Sequence, residues 1–423
     1  MAMRQTHEDG CCGFDDVRMR GFRERATVEQ ACAWLDARCR TLSPEAILLS
    51  TAFGRVLASS VTASLDVPPF DRSAMDGFAV RGSETTGAGD YNPLALRVIG
   101  QSLPGHPYGG EVISGTAVRI MTGAPVPNGA DAVLPAEFAR EVGEQVEFTA
   151  AIASGRNIGR RGEDVAAGQT VFEVGRRLRP QDVGLLASIG VSSVSVVKRP
   201  RVRVLATGNE LAIPGNTREP FQIFDSNSPT LRALIERDGG ELESSRLLID
   251  DRDAIKAALT EPGADMILVS GGSSVGAEDH APAVLAEVGE LPIHGVAMRP
   301  SSPTGIGHIG DVLVFLLPGN PVSCLCAYDF FAGRVIRQLG GRSVDWPYVR
   351  QRVVVGSKIV SAVGRVDYCR VRIESNRIEP ISTSGASILS STTRAAGFVI
   401  VPAELEGYAP GTEVEVFLYD PLP

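Results

Sequence analysis

Three glycine-bearing loops, each directly behind a hydrophobic run of strand type, constrain this chain more than any other feature. They are Val202-Arg-Val-Leu-Ala-Thr-Gly-Asn-Glu210, Met266-Ile-Leu-Val-Ser-Gly-Gly-Ser-Ser-Val-Gly276 and Val312-Leu-Val-Phe-Leu-Leu-Pro-Gly-Asn-Pro-Val-Ser323. In a parallel α/β sheet the loops that follow the strands converge on one edge, and ligands bind in the crevice there. Glycine lets backbone approach a ligand closely, and the free N–H groups that open the next helix favour anions. The pattern therefore predicts a site for a ligand that carries phosphate or another oxyanion.

At 423 residues the chain is too long for one ordinary core, so several domains are expected. With 43% hydrophobic and 22% charged residues it reads as a soluble globular protein. A net charge of −9 and the lack of a sustained basic stripe argue against nucleic acid as a partner. No apolar run approaches the roughly 18 residues that would span a bilayer, so no membrane partner is expected. Seven cysteines, an odd number without a secretory signal, point to free thiols and a cytoplasmic location. Cys11 and Cys12 read as exposed thiols in a polar tail, since no Cys/His spacing around them suits zinc.

Along the chain, residues 1–24 read as a flexible tail. Thr27-Val-Glu-Gln30 has the capping-box pattern, with Val28, Ala31, Cys32 and Leu35 on one helical face. Segments 25–65 and 165–200 are assigned to one linking domain, and 66–164, with short apolar runs broken by Pro and Gly, to a β-rich domain inserted in it. A helix is predicted from Pro180 to Gly190. Residues 201–341 alternate strand, glycine loop and helix and make a doubly wound α/β domain. In it Ser228 is expected to cap one helix, Asp251 a second, and Pro321 to open a third. Residues 346–423 alternate apolar and polar side chains and read as a C-terminal all-β domain. The expected class is thus multidomain α/β plus β.

Seven ordered blocks stand out: Asp66-Val-Pro-Pro-Phe-Asp-Arg-Ser-Ala-Met-Asp-Gly-Phe-Ala-Val80, Arg119-Ile-Met-Thr-Gly-Ala-Pro-Val-Pro127, Arg160-Arg-Gly-Glu-Asp164, Thr207-Gly-Asn-Glu-Leu211, Asp225-Ser-Asn227, Ser270-Gly-Gly-Ser-Ser-Val-Gly276 and Pro318-Gly-Asn-Pro-Val-Ser323. Together they resemble the molybdopterin molybdenumtransferases, the MoeA family with the E domain of gephyrin. One glycine loop alone would say little; the ordered series over roughly residues 26–420 is specific. The resemblance implies a four-domain plan, an elongated homodimer, and a site between the α/β domain of one subunit and the β-rich domain of the other. It implies the activity as well. Adenylylated molybdopterin and molybdate are the substrates, the phosphoanhydride is cleaved, AMP is released and molybdenum stays on the dithiolene, with Mg2+ assisting. Partners implied beyond these are a molybdopterin adenylyltransferase and molybdoenzymes.

Cleaving a phosphoanhydride calls for a hard cation on the pyrophosphate, held by carboxylates. By motif, the resemblance makes Asp76, Thr122, Asp164 and Glu210 the catalytic set, with Asp76, Asp164 and Glu210 as metal ligands. It makes Asp250, Gly271, Gly272, Ser274, Asp279, Arg299, Ser302, Pro318, Gly319, Asn320 and Ser323 the binding set. The residues themselves leave some of these open. Asp250 stands between ligand and turn residue, Asn320 between ligand and tight turn, and the Arg160-Arg161 pair between phosphate clamp and solvated charge. Asp76, in an extended segment with no helix to cap, reads as functional.

The chain departs from the family at one stretch. Arg299-Pro-Ser-Ser-Pro303 stands where the family has Lys-Pro-Gly-Lys-Pro, Gly295 where some members have a further lysine, and Gly276-Ala-Glu-Asp279 displaces an acid by one place. A planar guanidinium does not replace an ammonium at a tight oxyanion pocket. Arg299 with Arg72, Arg365 or Arg370 is left to supply the charge. Two other functions therefore stay on the table: a non-catalytic paralogue or chaperone that binds the pterin nucleotide, and a hydrolase that releases AMP without transferring metal.

Overall fold

Alternation of side chains along three strands settles the architecture of the second half. In the computed structural model, which describes residues 25–272, 279–382 and 386–420, these strands are β1 (Arg201–Thr207), β5 (Met266–Ser270) and β8 (Val312–Leu317). Val202, Val204, Met266, Leu268, Leu313, Phe315 and Leu317 enter one hydrophobic core, and Leu205, Ile267, Val269, Val314 and Leu316 a second. A strand that feeds two cores lies inside a sheet covered on both faces, as in doubly wound folds.

The remaining elements are β2 (Leu211–Ala212), β3 (Ile223–Phe224), α2 (Asn227–Asp238), β4 (Glu241–Leu248), α3 (Arg252–Thr260), α4 (Ala281–Val288), β6 (Glu290–His294), β7 (Gly305–Ile309), α5 (Pro321–Ala327) and α6 (Gly333–Leu339). The sheet runs β4-β1-β5-β8-β7-β6; its first four strands are parallel, and β7 pairs antiparallel with both β8 and β6. Helices α2, α5 and α6 cover the first core, and α3 and α4 the second. A π-helical turn, Tyr328–Ala332, joins α5 to α6.

Two local signals act as read. Asp251 caps α3 by accepting from Ala254 N at 2.8 Å, and Pro321 opens α5. Ser228 does not cap α2. That role falls to Asp225, whose Oδ1 accepts from Asn227 N at 2.9 Å and Ser228 N at 3.1 Å, and the helix begins at Asn227, two residues earlier than a Ser228 cap would place it. A carboxylate ahead of the turn is the stronger acceptor for two converging N–H groups.

The chain parts into two compact units, one of residues 46–196 and one that unites the described residues before Ala46 with 197–420. Helix α1 (Val28–Arg38), assigned from sequence to the linking domain, thus belongs with the α/β unit. Thr27 and Gln30 form its capping box, with bonds of 3.1 and 2.9 Å. Its buried face, Val28, Ala31 and Leu35, joins the core of Tyr328 and Phe331, and Asp36 takes a two-pronged bond from Arg334 at 2.7 and 3.0 Å. The C-terminal residues form a closed ring of five strands, 349–355, 377–382, 366–374, 397–401 and 413–418, each paired with the next and the last with the first. The closing pair is short, Val354 with Arg377 and Val355 with Ile378.

In the other unit a six-stranded sheet runs 132–135, 77–80, 116–120, 94–102, 145–148, 139–142, with cores on both faces. A separate core gathers Ala52, Leu57, Leu178, Leu186 and Val196. The helix Pro180–Ser188 supports it, and Asp182 binds Arg176 and Arg179 there. Burial alone would raise the Asp182 pKa, but these arginine bonds win and hold the carboxyl far below the usual range.

Arg203 is an exception to the apolar logic of β1. Fully buried, its guanidinium bonds Glu243 at 3.0 Å and the carbonyls of Ala258, Glu261 and Pro262 at 3.1, 2.6 and 3.1 Å, closing the C-terminal end of α3. Removing one partner of a buried pair strands the other. Arg203→Met is expected to lower the stability of this unit by about 3 kcal/mol, read as a fall in urea midpoint. Arg203→Met combined with Glu243→Leu should cost less than Arg203→Met alone.

Candidate active site

The four parallel strands all end at one cleft of about 880 Å³. Its wall is made by Thr207 to Leu211 after β1, Asp250 after β4, Ser270 to Gly272 after β5, and Pro318 to Pro321 after β8, with Ile223 to Asn227 across the mouth. The chain leaves β1 towards α2 on one face of the sheet and β5 towards α4 on the other. That reversal opens the crevice in which doubly wound sheets bind ligands.

Close backbone approach shapes the floor. Gly271 and Gly272 have φ of 97° and 57°, and a Cβ on Gly271 would stand 2.3 Å from the Thr207 carbonyl oxygen. Neither position tolerates a side chain without moving β1. The buried Thr207 Oγ1 beside them has no hydrogen-bond partner among the described residues. Asn227, at the start of α2, donates through Nδ2 to Ser270 Oγ at 2.8 Å and to the Gly319 carbonyl at 2.7 Å, fastening the loops after β5 and β8 to each other. The loop after β4 is tied to the loop after β1: Asn209 N donates to Asp250 Oδ2 at 3.1 Å, and Asp250 N to Asn209 Oδ1 at 3.2 Å.

The described lining carries four carboxylates, Glu210, Asp225, Asp250 and Asp279, and no lysine or arginine. Among the described residues no three His, Cys, Asp or Glu side chains stand close enough to enclose a metal ion. Magnesium, however, ordinarily takes one or two carboxylates and completes its shell with phosphate oxygens and water. The donor set fits that mode of binding. Cys324 lies 3.8 Å from Ser270 Oγ, but burial pushes its thiol up to about 12, so it is no nucleophile near neutral pH.

Of the sequence-predicted site residues, Glu210, Asp250, Gly271, Gly272, Asp279, Pro318, Gly319 and Asn320 line this cleft. Asp250 is in the lining while Asp251 alone caps the helix, so the two adjacent acids divide the roles. Asn320 precedes α5 without a side-chain capping bond. Ser274, like Cys11 and Cys12, lies outside the described residues.

Ser323, Arg299 and Ser302 are not among the lining residues. Ser323 is buried in α5, where its carbonyl accepts from Ser301 Oγ at 2.5 Å. Arg299 sits on a two-residue strand in register with Asp367 of the C-terminal ring; its guanidinium bonds the Asp367 carboxylate and, at 3.3 Å, the Val360 carbonyl. Arg365 bridges the same Asp367 at 3.2 Å, and Arg72 faces Glu163 at 3.5 Å. Three of the four arginines expected to stand in for lysine, Arg299, Arg365 and Arg72, are therefore already engaged by carboxylates. Ser302 Oγ is buried without a hydrogen-bond partner among the described residues.

Asp76, Thr122 and Asp164 belong to the β-rich unit. Asp76 Oδ1 accepts from Thr122 N at 2.7 Å and from Thr122 Oγ1 at 2.8 Å, and these bonds hold its pKa below the usual carboxylate value. Asp164 is exposed, with its backbone N–H on the Val67 carbonyl at 3.0 Å. The Arg160-Arg161 pair is engaged too: Arg160 Nη1 bonds Asp71 at 2.6 Å and Arg161 Nε bonds Asp66 at 2.5 Å. Sequence reasoning left Thr207, Asp225, Asn227 and Ser270 out of the site, although all four sit inside motifs it had quoted. The small polar residue at each strand end was the available signal.

Comparison with known proteins gives three consecutive family matches: the MoeA N-terminal region (domains I and II) over residues 26–190, a probable molybdopterin-binding domain over 203–338, and the MoeA C-terminal region (domain IV) over 352–419. A molybdopterin molybdenumtransferase 2 of Mycobacterium tuberculosis is 35% identical over 89% of this chain and 96% of its own length. A putative molybdopterin biosynthesis protein of Methanocaldococcus jannaschii is 31% identical over 93% and 96%. Two crystal structures of a MoeA protein from Pyrococcus horikoshii superpose with TM-scores of 0.80 and 0.77, at 32% and 30% identity, over 94% of this chain and 100% of theirs.

The Asp76 pairing makes a prediction. A depressed folded pKa keeps this carboxyl ionised to a lower pH than an ordinary aspartate. Thr122→Ala removes the hydroxyl donor and keeps the backbone one, so the Asp76 pKa should rise part of the way to its ordinary value. A carbon-detected NMR titration of the Asp76 carboxyl reads this; an unmoved pKa would assign the shift to the backbone N–H alone.

Proposed function

The chain belongs to the MoeA family of molybdopterin molybdenumtransferases, and from that premise we propose that it transfers molybdenum from molybdate to adenylylated molybdopterin and releases AMP. Its role lies in molybdenum cofactor biosynthesis, as a transferase. The observation that carries the finer reading is the cleft, where glycine loops that accept phosphate oxygens meet four carboxylates at the ends of four parallel strands.

In this reading the backbone at Gly271, Gly272 and Gly319 receives the phosphate oxygens, with Asn320 and Asp279 in the same lining, and Ser274 is carried over from the resemblance alone. Glu210 and Asp250 are the groups that would hold Mg2+. When bound, the ion would offset negative charge on the phosphoanhydride oxygens. Asp76, oriented by Thr122, and Asp164 are assigned to the same chemistry from the β-rich unit. A homodimer in the cytoplasm is the state carried over from the resemblance.

A second reading, a pterin-nucleotide hydrolase or binding paralogue, draws on one observation: Arg299 is held by Asp367, and the described cleft lining has no fixed cation for molybdate. A single-turnover reaction with adenylylated molybdopterin, magnesium and molybdate separates them. AMP and protein-bound molybdenum are expected together. AMP without molybdenum gives the hydrolase, and neither product despite tight pterin binding gives the binding paralogue. Asp76→Asn and Glu210→Gln should each slow AMP release by at least about a hundredfold, the usual scale for removing a charged transition-state contact. AMP release at the wild-type rate in either variant would remove that residue from the catalytic set.

A further inference from the structure

The cleft is larger than a phosphate site requires. Its volume of about 880 Å³ lies near the upper end of ordinary ligand pockets, which reach about 1,000 Å³. Beside the glycine loops and carboxylates the lining carries an apolar stretch, Leu211, Ile223 and Phe224, from the short parallel pair β2 and β3, with Glu210 and Asp225 as its chain neighbours. Phe224 is 47% exposed and Ile223 57%, and neither belongs to any of the hydrophobic cores. Core packing therefore does not account for them.

The stretch is rigidly placed. Ile223 N donates to the Glu210 carbonyl at 2.8 Å, Asp225 N to the Ala212 carbonyl at 2.9 Å, and Asp225 then caps α2. The Phe224 ring thereby has a fixed register to the acid at Glu210 and to Asn227. The Arg218 guanidinium lies over the same ring, 6.0 Å from its centroid, adding a cation to the apolar rim. An aromatic face with a guanidinium over it, beside a phosphate-accepting floor, matches a ligand in which a planar heteroaromatic ring is joined to phosphate.

We propose that Phe224, flanked by Ile223 and Arg218, is the stacking platform for the heteroaromatic ring of the bound substrate and sets its position over Glu210 and Asp250. This rests on the functional reading above, whose substrate carries two such rings, adenine and pterin. Either would be recognised by the same chemistry.

The test is calorimetric, with the full-length protein, AMP and a pterin monophosphate as probes, and ribose 5-phosphate as the ringless control. Phe224→Ala is expected to weaken one ringed probe by about tenfold, the scale of one lost stack, while ribose 5-phosphate is unaffected and Phe224→Trp retains binding. Loss confined to AMP identifies adenine as the stacked ring, and loss confined to the pterin probe identifies pterin. Wild-type binding that Phe224→Ala leaves within about twofold for both probes overturns the platform alone. A wild-type protein that binds neither probe overturns the nucleotide reading together with the platform. Because Phe224 is half exposed and outside the cores, an unchanged melting temperature should accompany the affinity loss.

Discussion

The site depends on one side-chain amide. Asn227 is buried at the start of α2 and gives one N–H to the Ser270 hydroxyl and the other to the Gly319 carbonyl. These belong to loops that follow different strands, and loops of that kind move independently unless something spans them. An apolar residue of similar size would leave the Gly319 carbonyl and the Ser270 hydroxyl without that donor, at about 1–3 kcal/mol for each group left unsatisfied. Asp225 fixes the amide in turn by capping the helix that carries it. Capping and loop register are one device.

Charge in this protein is sorted. Carboxylates crowd the cleft, while the arginines nearest in sequence to the ligand motifs are paired with acids elsewhere: Arg299 and Arg365 on Asp367, Arg160 on Asp71, Arg161 on Asp66. Asp367 is almost wholly buried in the C-terminal ring. Arg365 and the Ser361 hydroxyl share this carboxylate, but Arg299 supplies its guanidinium hydrogen bond, so the pairing constrains where the Arg299 charge can go. A lysine at that position reaches differently and bonds a carboxylate without the planar fork. The exchange of Lys for Arg in this stretch therefore changes geometry more than charge.

Local chemistry carried most of the fold. Strand runs with glycine behind them, the Thr27 capping box, Asp251 before α3 and Pro321 opening α5 all act within a few residues of themselves, and such signals are written in order along a chain. The cleft's glycines and acids were legible for the same reason. What escaped were residues whose partners lie far off in sequence. Arg203 reads as a misplaced charge in a core strand until the carbonyls of Ala258, Glu261 and Pro262 are brought beside it. Ser228 was misread for a different, local reason: the Asp225 carboxylate, only three residues upstream, reaches over it to take the cap. The destination of Arg299 required knowing that residue 367 would be its neighbour.

Helix α1 is separated from the sheet it covers by the whole of residues 46–196. On a ribosome it emerges early, with Val28, Ala31 and Leu35 exposed, and its receiving surface is complete only once α6 has been made. At usual elongation rates the interval over those roughly 300 residues is about 15–60 s. During it the intervening unit can finish folding on its own cores. The α/β unit is therefore the one whose assembly waits on the longest stretch of synthesis, with an early amphipathic helix left to chaperones until its partner surface arrives.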